Sequence, residues 1–203
     1  MKFSLKPTEP RKLDVDLLTI FCEEKRPIPL KGISHELSSL ITTATQKEEF
    51  EGKEGQFLTL STKGYIGAYK LLLAGAGTED KLDYGKVQTL VARAIGRALE
   101  NKLVKVAFSI PEVWLEKFST QPVISAMVEA VSLASYRFTK YKSEEEKKKI
   151  RPLSEVILLV PPARLRGGEE GVRLGIIFAE ATLFARDLVN EPAQVTTPSY
   201  LAS

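Results

Sequence analysis

The segment YKLLLAGAGTEDKLDYGKVQTLVARAIGRALENKLVKVAFSI, residues 69–110, predicts a strand, a helix and a second strand in that order. Tyr69–Ala74 is an apolar run that ends at glycines, as buried strands do. Asp83 is a suitable helix N-cap. The residues after it repeat at the spacing of one helical face: Val87, Leu90, Val91, Ala94, Ile95, Ala98 and Leu99. Leu103–Ile110 alternates apolar and polar residues. A strand–helix–strand unit of this length favours a parallel pair with the helix crossing one face of the sheet.

The same alternation continues on both sides of this segment. Further helices are predicted over residues 34–43, 120–138 and 168–189, and further strands over 2–6, 16–22, 56–61 and 156–160. This order predicts an α/β three-layer sandwich with a mixed, mostly parallel sheet and helices on both faces. The N-terminal strands and the pair formed by residues 56–74 are expected to supply the antiparallel part. The last helix is apolar over a wide arc, which predicts that it is covered on more than one side. Residues 143–152 are predicted to form a charged surface loop.

Composition places the chain among soluble proteins of the cytoplasm. Its 203 residues fit one domain, or one domain with a linker, and its net charge of +3 requires neither nucleic acid nor an anionic membrane as partner. The single cysteine excludes an internal disulfide and fits a reducing compartment. No stretch reaches the roughly 20 apolar residues that span a bilayer, and the N-terminus lacks the apolar core of a signal peptide.

Individual residues with catalytic potential are few and scattered. His35 is the only histidine, and no nearby spacing of His, Cys, Asp or Glu provides the three or four ligands of a zinc site. Cys22 ends an apolar run and is predicted to be a buried, inert thiol rather than a nucleophile. Serine and threonine are plentiful, but none is flanked by glycines as in a nucleophile elbow. We therefore predict no catalytic, cofactor-binding or metal-binding residue in this chain.

Two segments leave a choice of interpretation. Gly75–Thr78 lies between a strand and a helix, so its amides could bind a phosphate, but the third glycine is missing and Asp80 would repel an anion. A tight turn is the favoured explanation of both glycines. Asp187 and Glu191 could form a carboxylate pair. A structural role is favoured, in which Asp187 or Arg186 makes an ion pair and Asn190 ends the helix in a left-handed conformation.

The C-terminal stretch ARDLVNEPAQVTTPSYLAS, residues 185–203, begins a helix at Thr197–Pro198 that the chain does not complete. It resembles the junction of the leucyl (cytosol) aminopeptidases, where R-[DE]-L-x-N-x-P is followed by x-TP-xx-LA. Three other stretches resemble the family in the same order along the chain: DLLTIFC (16–22), KLLLAGAGTED (70–80) and SYRFTKYKSEEEK (135–147). The resemblance covers essentially the whole chain and implies the family's N-terminal domain, whose fold is similar to that of macro domains.

The resemblance also implies a function for the longer protein. Family members are exopeptidases that remove N-terminal residues, preferably leucine, with two divalent cations (zinc, manganese or magnesium) activating a water molecule. Their metal ligands and catalytic lysine and arginine lie in a C-terminal domain around N-T-D-A-E-G-R, a string that this chain lacks. Family members form hexamers with the N-terminal domains outward. Six matched residues are implied to be linker positions that orient the second domain: Arg186, Asp187, Asn190, Pro192, Thr197 and Pro198.

These observations predict two regions and leave an alternative. Residues 1–190 would form the N-terminal macro-like domain, and residues 191–203 the linker and the beginning of a C-terminal catalytic domain. The predicted partners are that domain, other copies in a hexamer, and a peptide substrate only through the catalytic domain. The role predicted for the N-terminal domain is to support assembly and to limit access to the catalytic domain. The alternative is a free-standing module that binds ADP-ribose or another nucleotide at Gly75–Thr78. A nucleic-acid-binding regulator is a third, weaker possibility.

Overall fold

In the computed structural model, which describes residues 1–7, 13–28 and 34–201, six strands form a single sheet. They are β1 (Lys2–Pro7), β2 (Val15–Glu23), β3 (Phe57–Ser61), β4 (Ala68–Gly77), β5 (Lys105–Ser109) and β6 (Glu155–Val160). The helices are α1 (His35–Lys47), α2 (Tyr84–Glu100), α3 (Glu112–Lys117), α4 (Thr120–Ser135), α5 (Glu144–Lys149), α6 (Leu165–Asn190) and α7 (Pro198–Leu201). None of the described helices combines the length and the apolar content needed to cross a membrane.

The strand order is β1-β6-β5-β2-β4-β3, and only the β3–β4 pair is antiparallel. The prediction of a mixed, mostly parallel sheet is confirmed. The expectation that the N-terminal strands add antiparallel pairing is wrong, because β1 runs parallel to β6 and β2 runs parallel to both β4 and β5. The pairing partner of β1 lies about 150 residues away, and hydrophobic periodicity carries no information on such distant pairing.

Two separate cores lie on opposite faces of the sheet, which makes three layers. On one face, α2, α4 and part of α6 cover alternate residues of the central strands, with Phe21, Phe108 and Trp114 at the centre. On the other face, α1 contributes Leu37 and Ile41. The ring centroids of Phe21 and Trp114 are 4.5 Å apart. The predicted helices on both faces are therefore confirmed.

Helix starts follow the predicted caps. The Ser34 hydroxyl accepts a hydrogen bond from the Leu37 amide at the start of α1, and Asp83 accepts one from the Lys86 amide at the start of α2. Each bond satisfies a backbone donor that has no partner within the helix. The charged segment after residue 143, predicted to be a loop, instead contains α5, because Ser143 and Glu146 form a reciprocal capping box.

α6 packs along α4 through a stripe of small residues. Its buried members are Gly168, Gly171, Gly175 and Ala179; Gly171 and Gly175 face α4, whereas Gly168 faces Leu5 of β1. A Cβ atom at Gly175 would lie 2.7 Å from the carbonyl oxygen of Ser125, so only glycine permits this approach. The described residues cover α6 on one side only: Phe178 and Phe184, on other sides of the helix, are 51% and 65% exposed. A sequence pattern shows that a helix is apolar on two sides, but not whether the rest of the chain covers both.

Candidate functional site at the end of the long helix

The C-terminal end of α6 is held by the segment that follows α4. The helix predicted to reach residue 138 ends at Ser135, and Tyr136 has an extended backbone. Residues 136–141 then cross to α6. The hydroxyl of Tyr136 donates to Asp187 Oδ1 at 2.7 Å, and Asn190 Nδ2 donates to the same hydroxyl at 3.3 Å. The guanidinium of Arg186 lies 5.9 Å from the centroid of the Tyr136 ring. One tyrosine therefore contacts three of the last five residues of the helix.

Glu191, the first residue after α6, is bound from two sides. Lys140 Nζ lies 2.7 Å from its Oε1, and the hydroxyl of Tyr141 donates to Oε2 at 2.5 Å. The Glu191 side chain is only 7% exposed. The hydrogen bonds from Lys140 and then Tyr141 lower the pKa of Glu191, and the bond to Glu191 raises the pKa of both donors. This arrangement fixes the point at which the chain leaves the helix.

The contacts of Asp187 and Glu191 favour one of their two interpretations. Each carboxylate binds its own partners, Tyr136 for one and Lys140 with Tyr141 for the other, so the structural role is favoured over an acid–base pair. Two details of the prediction are wrong. Asp187 is bound by a tyrosine rather than a cation, and Arg186 donates to the Leu133 carbonyl. Asn190 remains helical, and Glu191 is extended because Pro192 follows it.

Beyond Glu191 the chain turns back towards α6. The amide of Val195 donates to the Pro192 carbonyl at 2.8 Å. Thr197 then caps α7, as predicted, by accepting from the Tyr200 amide at 3.3 Å. Tyr200 lines a cavity of about 500 Å³ together with Phe184 and Leu188 of α6. Ala202 and Ser203 lie outside the described residues. In the sequence, the stretch 135–147 and the C-terminal stretch 185–203 are separate motifs, and only the fold brings them into contact.

A second cavity, of about 480 Å³, lies at the carboxyl ends of β2 and β4. This is where ligands commonly bind in open α/β sheets. Its titratable lining consists of four carboxylates and two cations: Glu23, Glu24, Glu79, Asp80, Arg26 and Lys117. Both cations are already engaged. Arg26 pairs with Glu23 at 2.9 Å and with Glu79 at 3.3 Å, and Lys117 donates to the Glu79 carbonyl. The cavity is therefore acidic, which disfavours phosphate.

The glycines beside this cavity serve packing. The Gly75 amide donates to the Gln56 carbonyl at 2.8 Å, and the Gly77 amide donates to the Gly52 carbonyl at 3.0 Å. Both amides are thus occupied and cannot bind phosphate. The predicted tight turn is wrong, since both glycines belong to β4. They permit residues 52–56 to lie against the strand: a Cβ atom at Gly75 would be 2.1 Å from the Lys53 carbonyl oxygen.

ADP-ribose is accordingly expected not to bind this cavity. Calorimetric titration of the chain should give no binding isotherm at micromolar concentrations, because the pyrophosphate would meet carboxylates and occupied amides. A matched titration of the double variant Glu79→Gln/Asp80→Asn separates charge repulsion from the lack of free amides. Micromolar binding by the unmodified chain would contradict this interpretation and restore the nucleotide-binding alternative.

The remaining candidate residues do not assemble into a site. His35 is exposed at the start of α1. Cys22 is buried as predicted, at 1% exposure, and burial raises the pKa of its thiol to about 12. Among residues 1–7, 13–28 and 34–201, no group of three or more His, Cys, Asp and Glu side chains is placed to hold a metal ion.

Weakening the bonds of Glu191 is expected to loosen the junction. Glu191→Gln should speed hydrogen exchange at the amides of residue 191, Val195 and Thr197, with Glu180→Gln inside α6 as the matched control. The folded state lowers the pKa of Glu191, so its contribution is present above the ordinary glutamate pKa of about 4.3 and is lost as pH falls through the folded value. The difference in hydrogen-exchange rate between the unmodified chain and the variant should therefore become smaller as the pH falls below the folded pKa of Glu191. A difference that is independent of pH would exclude this role for the Glu191 carboxylate.

Together, the fold and the junction define an α/β domain whose long helix α6 leads into a fixed exit segment. Residues 18–145 match the family model described as "Cytosol aminopeptidase family, N-terminal domain". The chain belongs to this family as its N-terminal domain, which confirms the resemblance seen in the sequence.

Relatives and solved structures agree with this membership. The chain is 33% identical over 185 residues to a probable cytosol aminopeptidase of Aquifex aeolicus, covering 91% of this chain and 35% of that protein. It is 31% identical to one of Alkaliphilus metalliredigens, covering 100% of this chain and 41% of the relative. A tomato leucine aminopeptidase mutant shares the fold with a TM-score of 0.80 at 23% identity, covering 100% of this chain and 40% of the other.

A more distant structure shares the fold as well. The bottromycin maturation enzyme BotP in complex with Mn has a TM-score of 0.65 at 22% identity, covering 93% of this chain and 34% of that chain. The chain spans between 35% and 41% of the length of the two relatives described above.

Proposed function

We propose that residues 1–190 are the non-catalytic N-terminal domain of a metal-dependent leucyl aminopeptidase, and that residues 191–203 lead into its catalytic domain. One observation carries the proposal: the chain matches the N-terminal domain of the family and spans only 35% to 41% of relatives named cytosol aminopeptidases. The fixed exit of the chain from α6 supports a role in orienting a domain that follows. The names of the relatives support a cytoplasmic location.

In this proposal, the reaction would take place in the following domain, whose own residues would hold two divalent cations to supply Lewis-acid activation of the peptide carbonyl and of water. The complex of BotP with Mn supports manganese as one suitable cation. The domain described here contributes to hexamer assembly and limits access to the catalytic face. Its described residues would take part through the junction around Tyr136 and Glu191, which sets the direction of the linker.

The test compares the 203-residue chain with the same chain extended by its natural coding sequence. Both are assayed with a leucyl chromogenic amide and Mn²⁺, with and without a chelator. We expect no turnover above the blank for the 203-residue chain, and turnover abolished by the chelator for the extended chain. Chelator-sensitive turnover by the pure 203-residue chain would overturn the proposal, as would an extended chain that is folded and loaded with metal yet inactive.

Assembly is measured on the same two proteins. Light scattering after size-exclusion chromatography should give a hexamer mass for the extended chain. A monomeric extended chain that retains aminopeptidase activity would remove assembly from the proposed role, without affecting the assignment of the reaction.

A further inference from the structure

α6 carries a second stripe, on the side opposite its small buried residues. Its members are Leu174, Ile177, Ala181, Phe184 and Leu188. Their spacings alternate between three and four residues, so at 3.6 residues per turn they lie along one line of the helix. We call this line the outer stripe. It is independent of the glycines that contact α4, because the two sets occupy opposite sides.

The outer stripe is exposed to an extent that is unusual for such residues. Ile177 is 46% exposed and Phe184 is 65% exposed, and Phe178 beside them is 51% exposed. Single exposed apolar residues are common on protein surfaces, but a continuous row with aromatic members marks an interaction surface. Within residues 1–7, 13–28 and 34–201, the middle of the row (Ile177, Ala181 and Phe184) is exposed, whereas Leu174 and Leu188 at its ends are partly buried. Covering it would remove apolar area from water, which favours association.

The spacing specifies the kind of surface that fits. Alternate steps of three and four residues form the seam along which one helix packs against another. Two of the charged residues along the flank are already bound within the domain: Arg173 by Glu170 at 2.6 Å, and Asp187 by Tyr136. A partner therefore needs an apolar helical face more than complementary charges.

The course of the chain indicates which partner this is. After Glu191 the chain turns back, and Tyr200 joins Phe184 and Leu188 around the cavity at the end of the outer stripe. In the proposed longer protein, the polypeptide beyond residue 203 would therefore start beside the stripe. The relatives, of which this chain covers 35% and 41%, contain more polypeptide than this chain does.

We infer that the outer stripe is the docking surface for an apolar helical face of the polypeptide that follows residue 203. This inference rests on the proposed function, since it takes its partner from the same longer protein. It adds the surface on which the two parts meet, and it makes α6 a shared element, packed on α4 by its glycines and on the following domain by its outer stripe.

Cysteine labelling, followed at each labelled position by peptide mass spectrometry, tests this directly, and in the 203-residue chain the one native thiol gives almost no background. Cys22 is buried, its pKa is raised to about 12, and only the thiolate reacts. Ile177→Cys and Phe184→Cys are prepared separately, so that each leaves the other residue of the stripe in place. Gln46→Cys, on an exposed position of α1 beyond the opposite face of the sheet, is the matched control. Each variant is made in the 203-residue chain and in the extended chain and treated with a maleimide reagent.

We expect labelling at positions 177 and 184 to slow by about tenfold or more in the extended chain, as at a surface that opens only transiently, while position 46 is unchanged. If positions 177 and 184 were labelled at the same rate in both chains, and the extended chain had aminopeptidase activity, this inference would be overturned while the proposed function would stand. Slow labelling in the 203-residue chain that accelerates on dilution would assign the stripe to a second copy and also overturn it. An inactive extended chain that nevertheless protects both positions would support the docking surface and contradict the proposed function.

Discussion

Gly175→Ala is expected to lower the free energy of unfolding by about 2 to 3 kcal/mol, because it overpacks the contact between α6 and α4. The added methyl group would lie 2.7 Å from both the Ser125 carbonyl oxygen and the Val128 Cβ atom. The oxygen belongs to the backbone of a buried helix, so α6 must move outward as a unit. Urea denaturation measures the change. The slope of the unfolding free energy against urea concentration should be the same for the unmodified chain and the variant if both unfold in one step.

Gly96→Ala is the matched control, since it adds the same methyl group to the interior of another helix. Apart from neighbouring backbone of α2 itself, no described atom lies within 4 Å of the new Cβ position. The substitution should raise the free energy of unfolding by about 0.5 to 1 kcal/mol, because alanine has the higher helix propensity. Similar increases for both variants would contradict the close packing of α6 on α4.

Gly75→Ala is expected to lower the free energy of unfolding by about 3 kcal/mol, because its Cβ would overlap backbone rather than a movable side chain. The Lys53 carbonyl oxygen would be 2.1 Å away, and the backbone of Gly52 is also within contact distance. Accommodating the methyl group requires residues 52–56 to lift from β4. That movement breaks the hydrogen bonds from the Gly75 and Gly77 amides. Thermal and urea denaturation measure the loss.

Gly85→Ala is the control for this position. It lies in the first turn of α2, and the nearest atom to its new Cβ would be Asp83 Oδ1 at 3.4 Å, an ordinary contact. Its effect should be within about 0.5 kcal/mol. The comparison of Gly75→Ala with Gly85→Ala also tests whether Gly75 and Gly77 serve packing. If Gly75→Ala left stability unchanged and altered only nucleotide binding, the glycines would be part of a ligand site rather than a packing contact.

Local features of the chain were predictable because their causes lie within a few residues. Asp83 caps α2 as predicted, and the apolar spacing after it identified the buried face of that helix. Val156–Val160, an uninterrupted apolar run, is a strand buried on both faces. The helix α5 was not predicted, because a six-residue helix is marginal by itself. The signal that could have indicated it is the capping-box spacing of Ser143 and Glu146.

The acidic cavity shows the limit of this kind of prediction. The sequence indicated that Asp80 would disfavour a phosphate beside Gly75–Thr78. It did not indicate that Glu23 and Glu24, more than fifty residues earlier, would line the same cavity. Nor did it show that residues 52–56 occupy the glycine amides. These facts depend on the pairing of β2 with β4, which is a tertiary property.

The positions of most helices and strands, the α/β class and membership of the cytosol aminopeptidase family could be read from the amino-acid sequence, because caps, periodicity and motifs are local patterns. The strand order, the Tyr136–Asp187 and Tyr141–Glu191 bonds and the open outer stripe were decided only by the tertiary structure. The bonded residues are 51 and 50 positions apart in the chain. Contacts over such distances depend on how whole elements pack, because the free energy that selects them comes from burying surfaces that several elements share.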